Sequence, residues 1–414
     1  MDTWFGGQIS KEALAALSLA FPVFFIVVAF SSGLGTGTTA LVANAMGAGR
    51  ADEARSLAGQ SMWFAVLVGA LVTGLGFGVS EGLFRWMGAE GSYLQICMDY
   101  IGVIFAGCTF FMLSSTLNGF LQARGDTVTF RNSLIAGSIL NVGLDPLFLY
   151  GWGPIPALGI KGIAASTILI QGLVVVYMYV RCVRAGCFPE RSWLRVRPCA
   201  GAFKELFQQG APASVNMLTV GAGIFVINWF ASKFGTDAVA AFGAATRIEQ
   251  VALLPTIGLN MAAMAIAGQN SGAGRIDRIQ EMLTTALKGG AVVCVIGALP
   301  LLIWPVELMR LFSEDPEVMR MGAAYLRVAA ITLFVYPVLF TCTSTLQGMK
   351  RPQFAIWLGL ARQLIAPMAV ISILAWPLGM ETNGIWWGVS LVNWVAAFFT
   401  WWYVHRVLRR VAAG

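Results

Sequence analysis

The sequence predicts an all-α polytopic membrane protein made of two related six-helix bundles, the first of them incomplete at its amino end. Hydrophobic residues make up 57% of the 414 residues and charged residues 11%, whereas a soluble domain carries about 25% charged residues. Apolar runs of about 20 residues, long enough to cross a bilayer as a helix, recur along the whole chain. The net charge of +7 therefore indicates orientation in the membrane rather than binding to nucleic acid.

Eleven whole helices are predicted, with residues 1–8 as the end of one more. The predicted spans are 14–46, 55–80, 93–122, 127–150, 160–183, 204–233, 239–271, 279–305, 318–348, 352–377 and 383–408. They divide into an amino-terminal bundle at 1–183, a basic cytosolic linker at 184–203 and a carboxy-terminal bundle at 204–414.

Lysines and arginines are shared unevenly between the two sets of loops. Seventeen fall in the set that contains the linker and the carboxy terminus, and five fall in the opposite set. Positive loops stay in the cytosol, so the first set is expected to be cytosolic, in a bacterial inner membrane. Phe188, Trp193 and Leu194 in the linker leave two interpretations open, an amphipathic segment on the inner headgroups or a plain basic connector.

The two halves of the sequence match at a constant offset of 225 residues. Gly47-Ala48-Gly49-Arg50 reappears as Gly272-Ala273-Gly274-Arg275, and Trp4-Phe5 reappears as Trp229-Phe230. A register without gaps over a whole helix indicates duplication of a six-helix unit. An even number of helices predicts that the two copies are related by a pseudo-twofold axis along the membrane normal.

The sequence contains no pattern typical of catalysis or metal binding. Its seven cysteines include no CxxC pair, and His405 is the only histidine, so we expect neither a metal site nor a disulfide framework. It has no GxxxxGK[ST] motif and therefore no P-loop for ATP. No cofactor is expected.

One carboxylate lies inside an apolar run that begins near Ser133 and ends near Leu149. Asp145 is one or two turns from the predicted helix end, and Asn141, four residues earlier, shares its helix face. An ionisable group at that depth costs roughly 2.5–3.5 kcal/mol on insertion scales, so it usually serves a transport pathway. The alternative is a solvated acid at a helix end, followed by a loop that starts at Pro146.

Several stretches resemble the multidrug and toxic compound extrusion family, the MATE transporters. The likeness covers nearly the whole chain, and its Leu-Asp-Pro motif is similar to the DinF-like branch rather than the NorM branch. The motifs that carry it are Glu12–Leu17, Gly47–Gly49, Leu117–Asp126, Asn141–Pro146 and Arg247–Glu249.

The resemblance implies an antiporter in which entry of H+ or Na+ drives export of an organic, cationic or amphipathic compound by alternating access. It also implies a polar network in the first half that binds the coupling cation. The family pattern places this network on Asp145, Asp2, Asn141, Asn118 and Thr167.

The family's first helix should precede and include Asp2, and most of that helix is missing from the sequence. Subtracting the offset of 225 from helix 204–233 places its counterpart at about −21 to 8. We therefore expect about 20–25 residues of membrane helix before Met1, since a stub of eight residues cannot span a bilayer.

In the second half, Arg247, Glu249 and Arg362 fall within predicted membrane helices. The favoured interpretation is a structural salt bridge between Glu249 and one of the two arginines, because an unpaired charge at that depth is costly. The alternative is a substrate or cation site that contains Glu249.

The sequence leaves three alternatives to antiport. They are a lipid-linked saccharide flippase of the same superfamily, a membrane-embedded enzyme and a passive channel. An enzyme needs a nucleophile with its base, or metal ligands, at membrane depth, and the single His405 supplies neither. The expected partners are a drug-like small molecule and the lipid bilayer, without nucleic acid, around a monomer.

The loop charges generate a topology prediction. A cysteine introduced by Ala157→Cys should react with a membrane-impermeant maleimide in intact cells, because the loop from Tyr150 to Lys161 is expected outside. A cysteine introduced by Ser192→Cys in the linker should be protected. Labelling of the linker position from outside the cell would refute the topology.

Overall fold

The computed structural model describes residues 11–151, 156–189 and 192–413, apart from the side chains of Lys11, Leu14 and Ala413. The regular structure of these residues is helical. Long stretches rich in Leu, Ala, Val and Phe satisfy their backbone hydrogen bonds internally, which an apolar solvent requires. The predicted stub at 1–8, with Asp2, lies outside the described residues.

The chain divides into two compact units. The first comprises the residues through Met46 together with Arg50–Ser214, and the second comprises Gly47–Gly49 together with Val215–Gly414. The helices that lie wholly or mainly in the first unit are α1 (Lys11–Gly47), α2 (Ala51–Trp86), α3 (Gly91–Ala106), α4 (Cys108–Ala123), α5 (Val128–Tyr150) and α6 (Ile160–Arg184).

Helix α7 (Ala200–Ser232) begins in the first unit and ends in the second. The other helices of the second unit are α8 (Thr236–Gly272), α9 (Ile276–Ile303), α10 (Pro305–Arg310), α11 (Pro316–Thr332), α12 (Tyr336–Gly348), α13 (Gln353–Leu360), α14 (Ala366–Ala375) and α15 (Glu381–Ala413). The domain boundaries predicted from the sequence, at residues 183 and 203, stay predictions.

Nine of the described helical stretches are long and apolar enough to cross a membrane, or ten if the bent pair α3 and α4 counts as one span. With that pair included, these stretches coincide with ten of the eleven predicted helices. The eleventh prediction, at 383–408, coincides with α15, which is not among these stretches. The protein is therefore a multi-pass helical membrane protein, as predicted.

The helix boundaries repeat at the offset found in the sequence. Helix α1 spans Lys11–Gly47 and α8 spans Thr236–Gly272, so both have 37 residues and each boundary is displaced by 225. The 23 residues of α5 correspond in the same way to Gln353–Ala375. Because lengths as well as residues repeat, the structure supports duplication of the helical unit.

The turn after the first repeated helix is reproduced in the second. Gly49 and Gly274 have φ of 73° and 69°, a left-handed conformation that favours glycine after a helix. The Arg50 amide donates to the Ala45 carbonyl at 2.9 Å, and the Arg275 amide donates to the Asn270 carbonyl at 2.8 Å. The Gly-Ala-Gly-Arg motif is thus a helix stop in both units.

Two spans are less regular than predicted. The span at 93–122 is bent by 43° at Gly107, between α3 and α4, where a Cβ would collide with the Ile168 side chain. The span at 352–377 contains a π-helical segment, Ala361–Ile365, that includes Arg362. Such segments are short and occur often at functional sites.

The linker packs against the first unit. Phe188 is buried edge-on against Phe120, and Trp193 packs on Trp63 with ring centroids 4.8 Å apart. Gln60 ties the backbone further, donating to the Arg197 carbonyl at 2.8 Å. Phe188 is therefore not a headgroup anchor, because its ring is inside the protein.

Helices α1 and α4 approach closely at a glycine. A Cβ on Gly119 would lie 2.7 Å from the Gly35 carbonyl oxygen and 3.0 Å from the Thr38 Cβ. Small residues allow such approaches between membrane helices, where van der Waals packing drives association.

Gly119→Ala should therefore lower the thermal unfolding midpoint of the purified protein in detergent, since overpacking costs about 1–3 kcal/mol. The matched control is Gly78→Ala on α2, where a Cβ would meet nothing within 4 Å. That control should leave the midpoint unchanged or raise it, because alanine favours helix over glycine by about 1 kcal/mol. Equal effects of the two substitutions would contradict this account of the α1–α4 contact.

Candidate functional site

The carboxylate singled out in the sequence is enclosed by protein. Asp145 lies on α5 and its relative exposure is 0%. Pro146 follows it within the same helix, and a proline there removes a backbone donor, which leaves one carbonyl of the preceding turn without its helical partner. The alternative of a solvated acid at a helix end is therefore wrong.

The Asp145 carboxylate accepts hydrogen bonds from a side chain of its own helix, α5, and from a side chain of the neighbouring helix α6. Asn141 donates from Nδ2 to Asp145 Oδ1 at 2.8 Å, as the four-residue spacing predicts. The Ser166 hydroxyl of α6 reaches the same carboxylate oxygen, and it also lies 2.9 Å from the Ile163 carbonyl oxygen. Because a hydroxyl carries one proton, Ser166 donates to only one of these acceptors at a time.

The structure brings two residues of the predicted cation network into direct contact, since Asn141 donates a hydrogen bond to Asp145. Asn118 is buried on α4 and forms no hydrogen bond with Asp145. Thr167 is half-buried on α6, next to Ser166. The cation-binding roles of these residues stay predictions. The predicted role of Asp2 lies outside the described residues.

A second buried carboxylate lies in the second unit. Glu249 of α8 accepts hydrogen bonds from the hydroxyls of Tyr325 and Tyr336, the latter at 3.2 Å. The Tyr325 ring meets Trp386 edge-on with centroids 5.1 Å apart, and Trp386 is buried. The Glu249 carboxylate is therefore buried among aromatic side chains.

The predicted salt bridge of Glu249 is absent from the described residues. Tyrosine hydroxyls occupy its carboxylate, while Arg247, two residues away on the helix, is exposed. Arg362 donates from Nη1 to Asn393 Oδ1 at 2.8 Å. The prediction failed because spacing along one helix cannot reveal side chains contributed by other helices.

A small polar cavity of about 100 Å³ opens beside Arg362. Its side chains come from α7, α8, α12, α13 and the π-helical segment. They are Asn216, Asn260, Leu339, Phe340, Thr343, Ser344, Gln347, Leu358 and Arg362. Asn216 and Asn260 had no signal in the sequence beyond being amides inside apolar helices.

A larger cavity of about 420 Å³ lies in the first unit and is almost wholly apolar. Its walls come from α1, α2, the end of α3 and the first half of α7, with Phe30, Leu71 and Phe207 among them. Phe24 of α1 does not line this cavity and packs against Phe111, with ring centroids 5.6 Å apart.

A duplicated bundle of apolar helices with buried carboxylates inside the spans is typical of a membrane transporter. The sequence model of the MatE family matches residues 1–147 and 212–371, which is most of the chain. The protein therefore belongs to the MATE family, whose members are transporters and not enzymes.

The chain is similar to relatives that span most of its length. The FAD transporter of Shewanella oneidensis is 29% identical over 374 residues, covering 89% of this chain and 82% of its own length. The probable multidrug resistance protein YoeA of Bacillus subtilis is 25% identical over 402 residues, covering 95% and 81%. A MATE crystal structure in the bent conformation matches with a TM-score of 0.92 and 24% identity, over 100% of this chain and 91% of that one, and shows the shared fold.

Ser166 generates a prediction, since its hydroxyl is the α6 contact to Asp145. Ser166→Ala should lower efflux from proteoliposomes about 10- to 100-fold, because a hydrogen bond to a charged group is worth about 1.5–3 kcal/mol. The matched control is Ser138→Ala on α5, whose hydroxyl is exposed and donates within its own helix to Leu134. Full activity of the Ser166 variant would remove this hydroxyl from the site.

Proposed function

We propose that this protein is a secondary antiporter that exports organic compounds in exchange for H+ or Na+ by alternating access. The observation that carries the proposal is the enclosed Asp145 carboxylate, with Asn141 and Ser166 as hydrogen-bonding partners. An ionisable side chain in this position is costly to keep charged, so its charge state can be tied to the direction in which the site opens.

The two acceptors of Ser166 suggest how Asp145 responds to a proton. When the carboxylate is ionised, Ser166 and Asn141 donate to it and offset the loss of water. When the carboxyl is protonated, the Ser166 hydroxyl can turn to the Ile163 carbonyl, 2.9 Å away. Both charge states are thus hydrogen-bonded, and α5 and α6 are held together more strongly in the ionised state.

Sodium is the alternative coupling ion. A carboxylate, an amide and a hydroxyl meet at Asp145, and oxygen atoms of these groups suit hard cations. The same residues therefore support either ion, and the coupling experiment below includes both.

The cargo is proposed to be an organic small molecule, cationic or amphipathic. Relatives are named for multidrug resistance and for FAD, so their names alone do not select one compound. The apolar cavity of about 420 Å³ supports an amphipathic cargo, because drug-sized ligands occupy largely apolar sites of about 300–1,000 Å³.

We further propose that the protein lies in a bacterial inner membrane as a monomer, with the linker and the carboxy terminus in the cytosol. The support is the excess of lysine and arginine in those loops. The alternative of a lipid-linked saccharide flippase is not favoured, since the named relatives are drug and FAD transporters.

Asp145→Asn should abolish gradient-driven efflux while leaving the folded protein intact, because asparagine has nearly the same shape but cannot titrate. The measurement is efflux of a fluorescent dye from proteoliposomes under an imposed pH gradient and, separately, an imposed Na+ gradient. The matched control is Asp237→Asn near the start of α8, where the side chain is exposed. Efflux driven by either gradient at the rate of the unmodified protein would exclude Asp145 from coupling.

A further inference from the structure

Arg362 is a cation near the middle of a membrane-spanning stretch, Gln353–Ala375. Lysine and arginine at helix ends extend to the headgroups, but a guanidinium at mid-membrane normally faces a partner or a water-filled cavity. Arg362 lies in the π-helical segment and lines the small polar cavity of the second unit. The contacts of Arg362 and the lining of this cavity therefore indicate what the guanidinium can bind.

The described residues accept hydrogen bonds from only some of the N–H groups of this guanidinium. Arginine has five N–H donors, and the hydrogen bond observed is that from Nη1 to Asn393 Oδ1. Ion pairs among the described residues do not include Arg362, and the buried acid of this unit, Glu249, is held by two tyrosine hydroxyls. A full positive charge is left facing the cavity.

The cavity lining complements a negative group. Its nine residues contain no aspartate or glutamate, and its amides and hydroxyls supply further polar contacts. Asn260 Oδ1 is buried without a hydrogen-bond partner among the described residues. Because the oxygen and nitrogen of a side-chain amide are assigned from its hydrogen bonds, this amide can equally present its NH2 group, a donor, at that position. An unpaired amide of α8 and the incompletely paired guanidinium of the π-helical segment thus line one cavity.

Duplication does not account for this polarity. At the offset of 225 the counterpart of Arg362 is Gly137, and the counterpart of Asn260 is Gly35. The equivalent positions of the first unit carry no side chain that could form such a pocket. The polar cavity is therefore specific to the second unit rather than inherited from the repeated framework.

We propose that this cavity binds an anionic oxygen group, a carboxylate or a phosphate, on the exported cargo, with Arg362 as its counter-ion. The inference rests on the proposed export function and narrows the cargo to amphipathic compounds that carry such a group. A volume of about 100 Å³ holds a charged group but not a whole drug-sized molecule, so the cavity is a subsite. Arginine suits it because its planar fork matches the two oxygens of these anions.

The test compares two dyes that differ only in the proposed group, a rhodamine with a free carboxylate and the methyl ester of the same rhodamine. Their affinities for the purified full chain in detergent are measured by fluorescence anisotropy, without any ion gradient. The unmodified protein should bind the free acid about 10- to 100-fold more tightly than the ester, the range expected for hydrogen bonds to a charged group.

Arg362→Gln should remove this preference, and Arg362→Lys should keep part of it, because lysine retains the charge but not the fork. The matched control is Arg327→Gln, an exposed arginine of α11 that does not line the cavity; it should leave the ratio unchanged. If Arg362→Gln does not fold, Asn260→Asp provides the test, since a carboxylate built into the cavity should likewise abolish the preference.

Three outcomes would overturn the proposal. The first is equal affinity of the two dyes for the unmodified chain, and the second is a preference that survives both substitutions in the cavity. The third is displacement of the free acid by phosphatidylglycerol but not by benzoate, which would assign the pocket to a lipid headgroup. Since no gradient is present, a chain that selects the free acid but exports nothing would refute antiport and leave this subsite standing.

Discussion

The structure depends on one constraint, that a polar group inside a bilayer must find its partner within the protein. Backbone groups meet it by forming helices, which is why the regular structure of the described residues is helical. Buried polar side chains satisfy this constraint less completely than the backbone does. Asp145 is held by an amide and a hydroxyl, Glu249 by two tyrosines and Arg362 by one amide oxygen. Since each such group is costly, each marks a place where the membrane framework serves something other than its own stability.

Comparison of the two repeated units distinguishes features of the helical framework from the charged sites. The bounds of α1 and α8, the bounds of α5 and the stretch Gln353–Ala375, and the Gly-Ala-Gly-Arg turns all recur at the offset of 225. The charged sites do not recur. Val370 stands at the counterpart of Asp145, and Phe24 at the counterpart of Glu249. The two units therefore share their architecture and differ in chemistry. The first unit has an acid with amide and hydroxyl partners. The second unit has an acid bound by tyrosines and an arginine that lines the polar cavity.

The contrast between the buried acids follows from their neighbours. Asp145 contacts Ser166, whose proton can turn to a backbone carbonyl, so the site can exchange hydrogen bonds as its charge changes. Glu249 lies among aromatic rings and accepts hydrogen bonds from the hydroxyls of Tyr325, on α11, and Tyr336, the first residue of α12. The first arrangement suits the changes of charge that are proposed here for ion coupling, whereas the second holds its acid through two hydroxyl groups.

The sequence by itself determined the helical class, ten membrane spans with their approximate limits, the duplication and the pairing of Asn141 with Asp145. All of these depend on composition, on periodicity or on neighbours within one helix. Only the tertiary structure decided which residues of other helices meet the charges: Ser166 beside Asp145, tyrosines rather than arginine around Glu249, and Asn393 beside Arg362. Such partners lie between 21 and 87 residues apart in the chain, and their meeting is set by helix packing, which no local pattern records.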